Sequence, residues 1–106
     1  HIFGYCLLND WSAREVLVWE MAPLGPFNSK NFATTISPWI ITTEALEPFK
    51  APLPPQTDPK PLEYLSTSNL YAYDVKLELL LKDYASNEFE AISKVNMKNL
   101  YWSTHQ

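Results

Sequence analysis

Positive charge is scarce in this sequence. Eight Lys and Arg stand against twelve Asp and Glu, giving a net charge of −4. Phosphate binding draws on clustered Lys and Arg, and no basic run occurs, so no nucleic-acid partner is expected. Cysteine is scarcer still. The lone Cys6 can form no internal disulfide. Set inside an apolar run, it reads as a buried, inert thiol that suits a reducing compartment, and a cytoplasmic location is expected. No apolar run approaches the ~20 residues of a membrane helix, and no signal peptide precedes the first strand, so no membrane partner is expected. Gly-rich phosphate loops, a Gly-x-Ser-x-Gly elbow and paired-cysteine zinc spacings are all missing. His1 and His105 lie too far apart for a His-x-x-x-His metal motif.

What is present is an ordinary globular composition, 46% apolar over 106 residues. That suits one modest domain or a piece of a larger one. The first strand follows His1 directly, and the last residues, Tyr101–Gln106, read as helical without a C-cap. Residues 1–106 are therefore expected to be an internal fragment of one domain.

Ile2–Leu8 is a nearly continuous apolar run of strand formers, which predicts a strand buried on both faces, with Gly4 marking a bulge or close approach. Ser12 and Glu15 have capping-box spacing and predict a helix over about Ala13–Met21, closed by Pro23. Ala22–Phe27 carries turn chemistry at Gly25 and Pro26. Thr34–Thr43 predicts a strand bent at Pro38. Glu47–Glu63 holds six of the nine prolines and predicts an extended surface loop. Tyr71–Lys82 alternates with period two, and Phe89–Met97 offers it a hairpin partner across the turn at Asp83–Asn87. Asn99 is a candidate helix cap. The balance is a β-rich α+β fold.

Chemically useful groups gather between Asn9 and Trp39. Asp10 closes a strand, where a carboxylate can bind a hard cation or cap the following helix. Arg14 lies one turn into that helix, where the dipole does not favour a cation. It either meets an anion or is a surface charge. Lys30 stands before a β-branched strand, either as a stabiliser of developing negative charge or as an exposed loop lysine. Glu15 and Glu20 read as solvated helix carboxylates. The four tryptophans read as packing.

Together these stretches resemble a family. Asn9-Asp-Trp-Ser-Ala-Arg-Glu15, Pro23-Leu-Gly-Pro-Phe27, Lys30-Asn-Phe32, Thr34-Thr-Ile-Ser-Pro-Trp39, Asp58-Pro-Lys-Pro-Leu62 and Tyr101-Trp102 are similar, in order, to the C-terminal domain of the fumarylacetoacetase family. The first motif alone marks only the wider fumarylacetoacetate hydrolase superfamily. The Pro-Leu-Gly-Pro-Phe and Asp-Pro-Lys-Pro-Leu stretches narrow it. The resemblance implies a mixed β-sandwich roll that dimerises and hydrolyses a carbon–carbon bond in a small β-diketo acid. Fumarylacetoacetate then yields fumarate and acetoacetate, the last step of tyrosine breakdown. It also implies a divalent cation, Ca2+ or Mg2+, that holds the diketone oxygens, and a histidine aided by a glutamate that activates water.

By the same resemblance Asp10 is a metal carboxylate, Lys30 and Arg14 are catalytic, and Thr34 and Lys30 lie around a second cation. An ammonium cannot ligate a cation, so Lys30 would do so through its carbonyl. Leu17 and Met21 fall on substrate-contacting positions that the family fills with glutamine and tyrosine, and Ala33 replaces a glycine. Losing one oxyanion donor typically costs ~2.7–4 kcal/mol, on the order of 10²–10³ in rate. The family's histidine, its glutamate and the other metal carboxylates lie upstream of His1. The isolated chain is accordingly expected to be inactive and to bind no cation tightly. A member that kept the scaffold but lost the reaction, or one acting on an acylpyruvate, are the alternatives.

Overall fold

The computed structural model describes residues 1–106. They form two compact units, His1–Ala45 and Leu46–Gln106. The chain is strand-rich α+β with short helices, and its strands pair as four separate antiparallel ladders of two. No helix is long and apolar enough to cross a membrane.

In the first unit β1 (Gly4–Tyr5) pairs with β4 (Ile41–Thr42), and β2 (Leu8–Asp10) pairs with β3 (Thr34–Ile36). The apolar run Ile2–Leu8 therefore does not make one strand. Its partner explains the break. Pro38 has no N–H to donate, so the ladder lapses across Ser37–Ile40 and the facing chain lapses with it. Ser37 bridges the gap, its N–H donating to the Leu7 carbonyl at 2.9 Å and its hydroxyl accepting from the Leu7 N–H at 3.1 Å. Gly4 marks a close approach, since a Cβ there would lie 2.5 Å from the Ile41 carbonyl oxygen. The expectation of burial on both faces fails, because each half of the stretch has a single neighbouring strand and its side chains are left uncovered. Leu7, Leu8 and Cys6 are exposed, so Cys6 is not the buried thiol its apolar surroundings imply.

α1 (Arg14–Glu20) is shorter than expected, and its capping box does not form. The Ser12 hydroxyl donates instead to the Asp10 carbonyl at 3.0 Å, and the Ala13 N–H finds the Ser29 carbonyl at 2.8 Å. The helix thus starts without a side-chain cap, and a tertiary contact satisfies the N–H of its N-cap residue, Ala13. α1 packs on α2 (Asn28–Asn31), which leads into β3. α3 (Thr43–Leu46) follows β4.

In the second unit β5 (Lys50–Pro52) pairs with β6 (Tyr71–Tyr73), and β7 (Lys76–Lys82) forms a hairpin with β8 (Phe89–Asn96), bulged between Leu79 and Leu80. The Asp83–Asn87 turn forms as its residues dictate. Asp83 accepts the Ala85 and Ser86 N–H groups at 3.1 Å each, and Asn87 takes the left-handed conformation that asparagine tolerates. The alternating stretch Tyr71–Lys82 is interrupted at Asp74, whose carboxylate binds Lys98 Nζ at 2.8 Å and Asn96 Nδ2 at 2.6 Å. Its core and wet faces are distinguished from Tyr73 to Glu78, where Tyr73, Val75 and Leu77 are buried or half-buried and Asp74, Lys76 and Glu78 are exposed, but not beyond, since Leu79, Leu80 and Leu81 are all exposed.

The proline-rich stretch is more ordered than a plain extended loop. It opens with a 3-10 turn, Glu47–Phe49, and β5. The Gln56 and Gln106 side-chain amides pair reciprocally at 3.0 and 2.9 Å, and the Tyr101 hydroxyl donates to the Pro59 carbonyl at 3.1 Å. Asn96, not Asn99, caps the final 3-10 turn, Met97–Asn99, and Tyr101–Gln106 forms no helix. The buried apolar residues are Leu46, Ala72 and Tyr73. So small a core does not stabilise a chain of this length by itself.

Candidate active site

β2 ends at Asp10, and the antiparallel register sets Thr34, the first residue of β3, directly across the ladder. Lys30 lies on α2, four residues before Thr34, close enough to turn back on the strand end. Its Nζ donates to Asp10 Oδ2 at 2.8 Å, with the two side chains 32% and 43% exposed. An ion pair this exposed contributes about 0.2–1 kcal/mol, so its consequence is geometry more than stability. Next to it, Trp11 Nε1 donates to Thr35 Oγ1 at 2.9 Å and pins the two chains that leave the site.

Three residues singled out in the sequence thus converge: Asp10, Lys30 and Thr34. Arg14 is exposed on the first turn of α1 and joins none of the chain's ion pairs. Leu17 is half-buried, and Met21 is exposed at the end of the same helix, which packs on α2.

Glu20 does more than face solvent: it is half-buried and its carboxylate is hydrogen-bonded to the backbone. From the last residue of α1 its Oε2 accepts the Phe27 and Ser29 N–H groups at 2.8 and 3.0 Å, and its Oε1 accepts the Asn28 N–H at 3.1 Å. These are the donors a helix leaves unpaired at its start, here satisfied by another helix's side chain. A legible signal existed: an acid in the last turn of a helix is opposed by the dipole, so it calls for compensating donors. Gly25 allows the fold-back, because a Cβ there would lie 1.8 Å from the Glu20 carbonyl oxygen.

The Glu20 pKa is lowered, first by the Ser29 hydroxyl and then by the Phe27, Ser29 and Asn28 N–H groups, against a smaller opposing effect of burial. Ser29 Oγ is buried, and the structure gives it no hydrogen-bond partner. A lowered folded-state pKa adds stability above the ordinary carboxylate pKa, and that stability is lost as pH falls through the folded value. Thermal unfolding followed from neutral pH into the acid range checks this. Glu20→Gln is expected to flatten the acid loss of Tm, and slopes identical to wild type would contradict the clamp. Asp74 and Asp83 have lowered pKa values too, through Lys98 first and the Ala85 N–H first, and they retain their share of the slope in the variant.

No three His, Cys, Asp or Glu side chains come together in a way that could hold a metal ion. Ca2+ takes about six to eight oxygen ligands and Mg2+ about six, whereas the site offers one carboxylate already paired with an ammonium. The residues of this chain do not form a cation site on their own. An open groove beside Lys76, Glu78 and Lys94 lies in the second unit, and it holds only an exposed Lys94–Glu78 pair at 3.3 Å.

A strand-end carboxylate ion-paired to a lysine, on a strand-rich α+β scaffold, defines a polar site at the head of a β-ladder. The whole chain, residues 1–106, matches the family described as fumarylacetoacetate (FAA) hydrolase C-terminal, and it belongs to that family. It is similar to the fumarylacetoacetases of Arabidopsis thaliana (52% identical), Rattus norvegicus (49%) and Homo sapiens (47%), with all of this chain covered each time. The chain spans about a quarter of the length of the curated relatives it matches, 25% in each of these three.

Proposed function

We propose that this chain is part of the catalytic domain of a hydrolase that cleaves fumarylacetoacetate to fumarate and acetoacetate, in tyrosine breakdown. The supporting observation is identity near one half, sustained over every residue, to relatives named fumarylacetoacetase. In this reaction water adds to the carbonyl carbon next to the fumaryl double bond. The bond from that carbon to the neighbouring methylene breaks, and the electron pair leaves with the acetoacetate half as an enolate, which takes up a proton.

Negative charge therefore gathers on oxygen as the carbon–carbon bond opens. The Lys30 ammonium, held by Asp10 at 2.8 Å, is suited to stabilise it. Arg14 extends the positive charge toward the acid groups of the substrate, and Leu17 and Met21 line its binding face. The group that activates water lies outside this chain. Asp10 would serve as one carboxylate of a Ca2+ or Mg2+ site, with Thr34 and the Lys30 carbonyl near a second cation and the remaining ligands supplied by other parts of the protein. The exposed apolar residues of β2, β3, β4, β7 and β8 suit incorporation into a mixed β-sandwich roll, in a cytoplasmic homodimer.

Loss of diketone absorbance with the full protein tests the function. Faster turnover of fumarylacetoacetate than of an acylpyruvate is expected. A preference for the acylpyruvate would move the substrate to that class, and no turnover of either would leave a scaffold without the reaction. Leu17 bears on the choice of substrate, because it cannot donate the hydrogen bond that a glutamine would.

A further inference from the structure

We infer that Glu20 is a positioning residue, which fixes the backbone from which Lys30 reaches Asp10; this rests on the role proposed above for Lys30. The segment from Glu20 to Lys30 closes on itself. The Gly25 backbone lies against the Glu20 backbone, where a Cβ would be 1.8 Å from the carbonyl oxygen. The Glu20 carboxylate gathers the N–H groups of Phe27, Asn28 and Ser29. The Phe27 carbonyl then accepts the Lys30 and Asn31 N–H groups at 3.0 and 3.1 Å. Ser29 is 0% exposed, and its carbonyl accepts the Ala13 N–H at 2.8 Å, so the segment is also tied to the start of α1.

The Glu20 hydrogen bonds constrain the chain one to three residues before Lys30, and none of them involves Asp10, Lys30 or Thr34. Glu20 thus acts through Lys30. A carboxylate is the group this task requires. Both of its oxygens accept, whereas a glutamine would turn its NH2 toward the Asn28 N–H or toward the Phe27 and Ser29 pair.

The test uses the full protein, with kcat and KM for fumarylacetoacetate measured for Glu20→Gln, Glu20→Ala and Lys30→Met, and for each Glu20 variant combined with Lys30→Met. A displacement of about 1 Å at a reacting group costs on the order of 10²-fold in rate, so Glu20→Ala is expected to lower kcat by about that much. Glu20→Gln, which keeps one acceptor, is expected to lose less, and it provides the measurement if Glu20→Ala does not fold. On top of Lys30→Met, neither substitution is expected to lower kcat much further, because the group they position is gone. Losses that multiply in full with that of Lys30→Met would overturn the inference, since a general structural effect does not depend on the lysine. Wild-type kcat in the Glu20 variants beside a collapsed Lys30→Met would overturn it alone. An unaffected Lys30→Met would overturn the role of Lys30 and this inference together.

Discussion

Lys30→Met in the full protein is expected to lower kcat for fumarylacetoacetate by about 10²–10³-fold, the loss typical of removing one stabiliser of a developing oxyanion. Methionine keeps the length and much of the volume of the side chain, so packing changes little. The exposed Lys30–Asp10 pair adds about 1 kcal/mol at most to stability, and Tm is expected to stay close to wild type. The loss belongs in kcat more than in KM, because the charge being stabilised exists only as the carbon–carbon bond opens. Steady-state kinetics and a thermal melt on the same preparation check both halves. A rise in KM with kcat unchanged would make Lys30 a substrate-holding group instead.

Gly25→Ala is expected to harm both fold and rate. The new Cβ would sit 1.8 Å from the Glu20 carbonyl oxygen and 2.4 Å from its carbonyl carbon, and backbone cannot yield as a side-chain tip can. Overpacking of this kind costs about 1–3 kcal/mol, which lowers Tm by roughly 2–4 °C per kcal/mol in a domain of about 150–250 residues. Relief of the clash opens the turn and draws the Glu20 carboxylate away from Phe27–Ser29. A shift of about 1 Å at Lys30 then costs on the order of 10²-fold in kcat. Calorimetry with kinetics on the full protein separates the two losses. Unchanged Tm and kcat would mean that the close approach does not govern the turn.

The contrast between Lys30 and Gly25 shows what the sequence makes legible. Asp10, Lys30 and Thr34 stand in contiguous motifs whose order matches a family, and local chain geometry suffices to bring them together. Antiparallel register places Asp10 opposite Thr34, and a single helical turn before β3 carries Lys30 back. The β7–β8 hairpin was legible for the same reason, since period-two alternation and the Asp83–Asn87 turn are both local signals. The roles of these residues come from the resemblance and not from spacing.

What escaped was tertiary. Glu20 and Ser29 meet across the Pro-Leu-Gly-Pro turn, and no periodicity encodes a carboxylate taking up another helix's N–H groups. Ser12 and Glu15 had the spacing of a capping box, but the helix starts one residue later, with Ala13 at its N-cap, and the Ser12 hydroxyl turns back to the Asp10 carbonyl. Cys6 and the leucines beside it read as core because apolar runs usually are. Here the run is split between two short ladders, each with a single neighbouring strand, and Cys6, Leu7 and Leu8 stay exposed.

The most direct measurement is kcat/KM for fumarylacetoacetate in the full protein, with Asp10→Asn and Lys30→Met made singly and together. If carboxylate and ammonium serve the substrate as one unit, each single change is expected to cost nearly as much as both, as happens for groups that act together. Losses that multiply independently, or single variants with wild-type turnover, would contradict a site built on the Asp10–Lys30 pair.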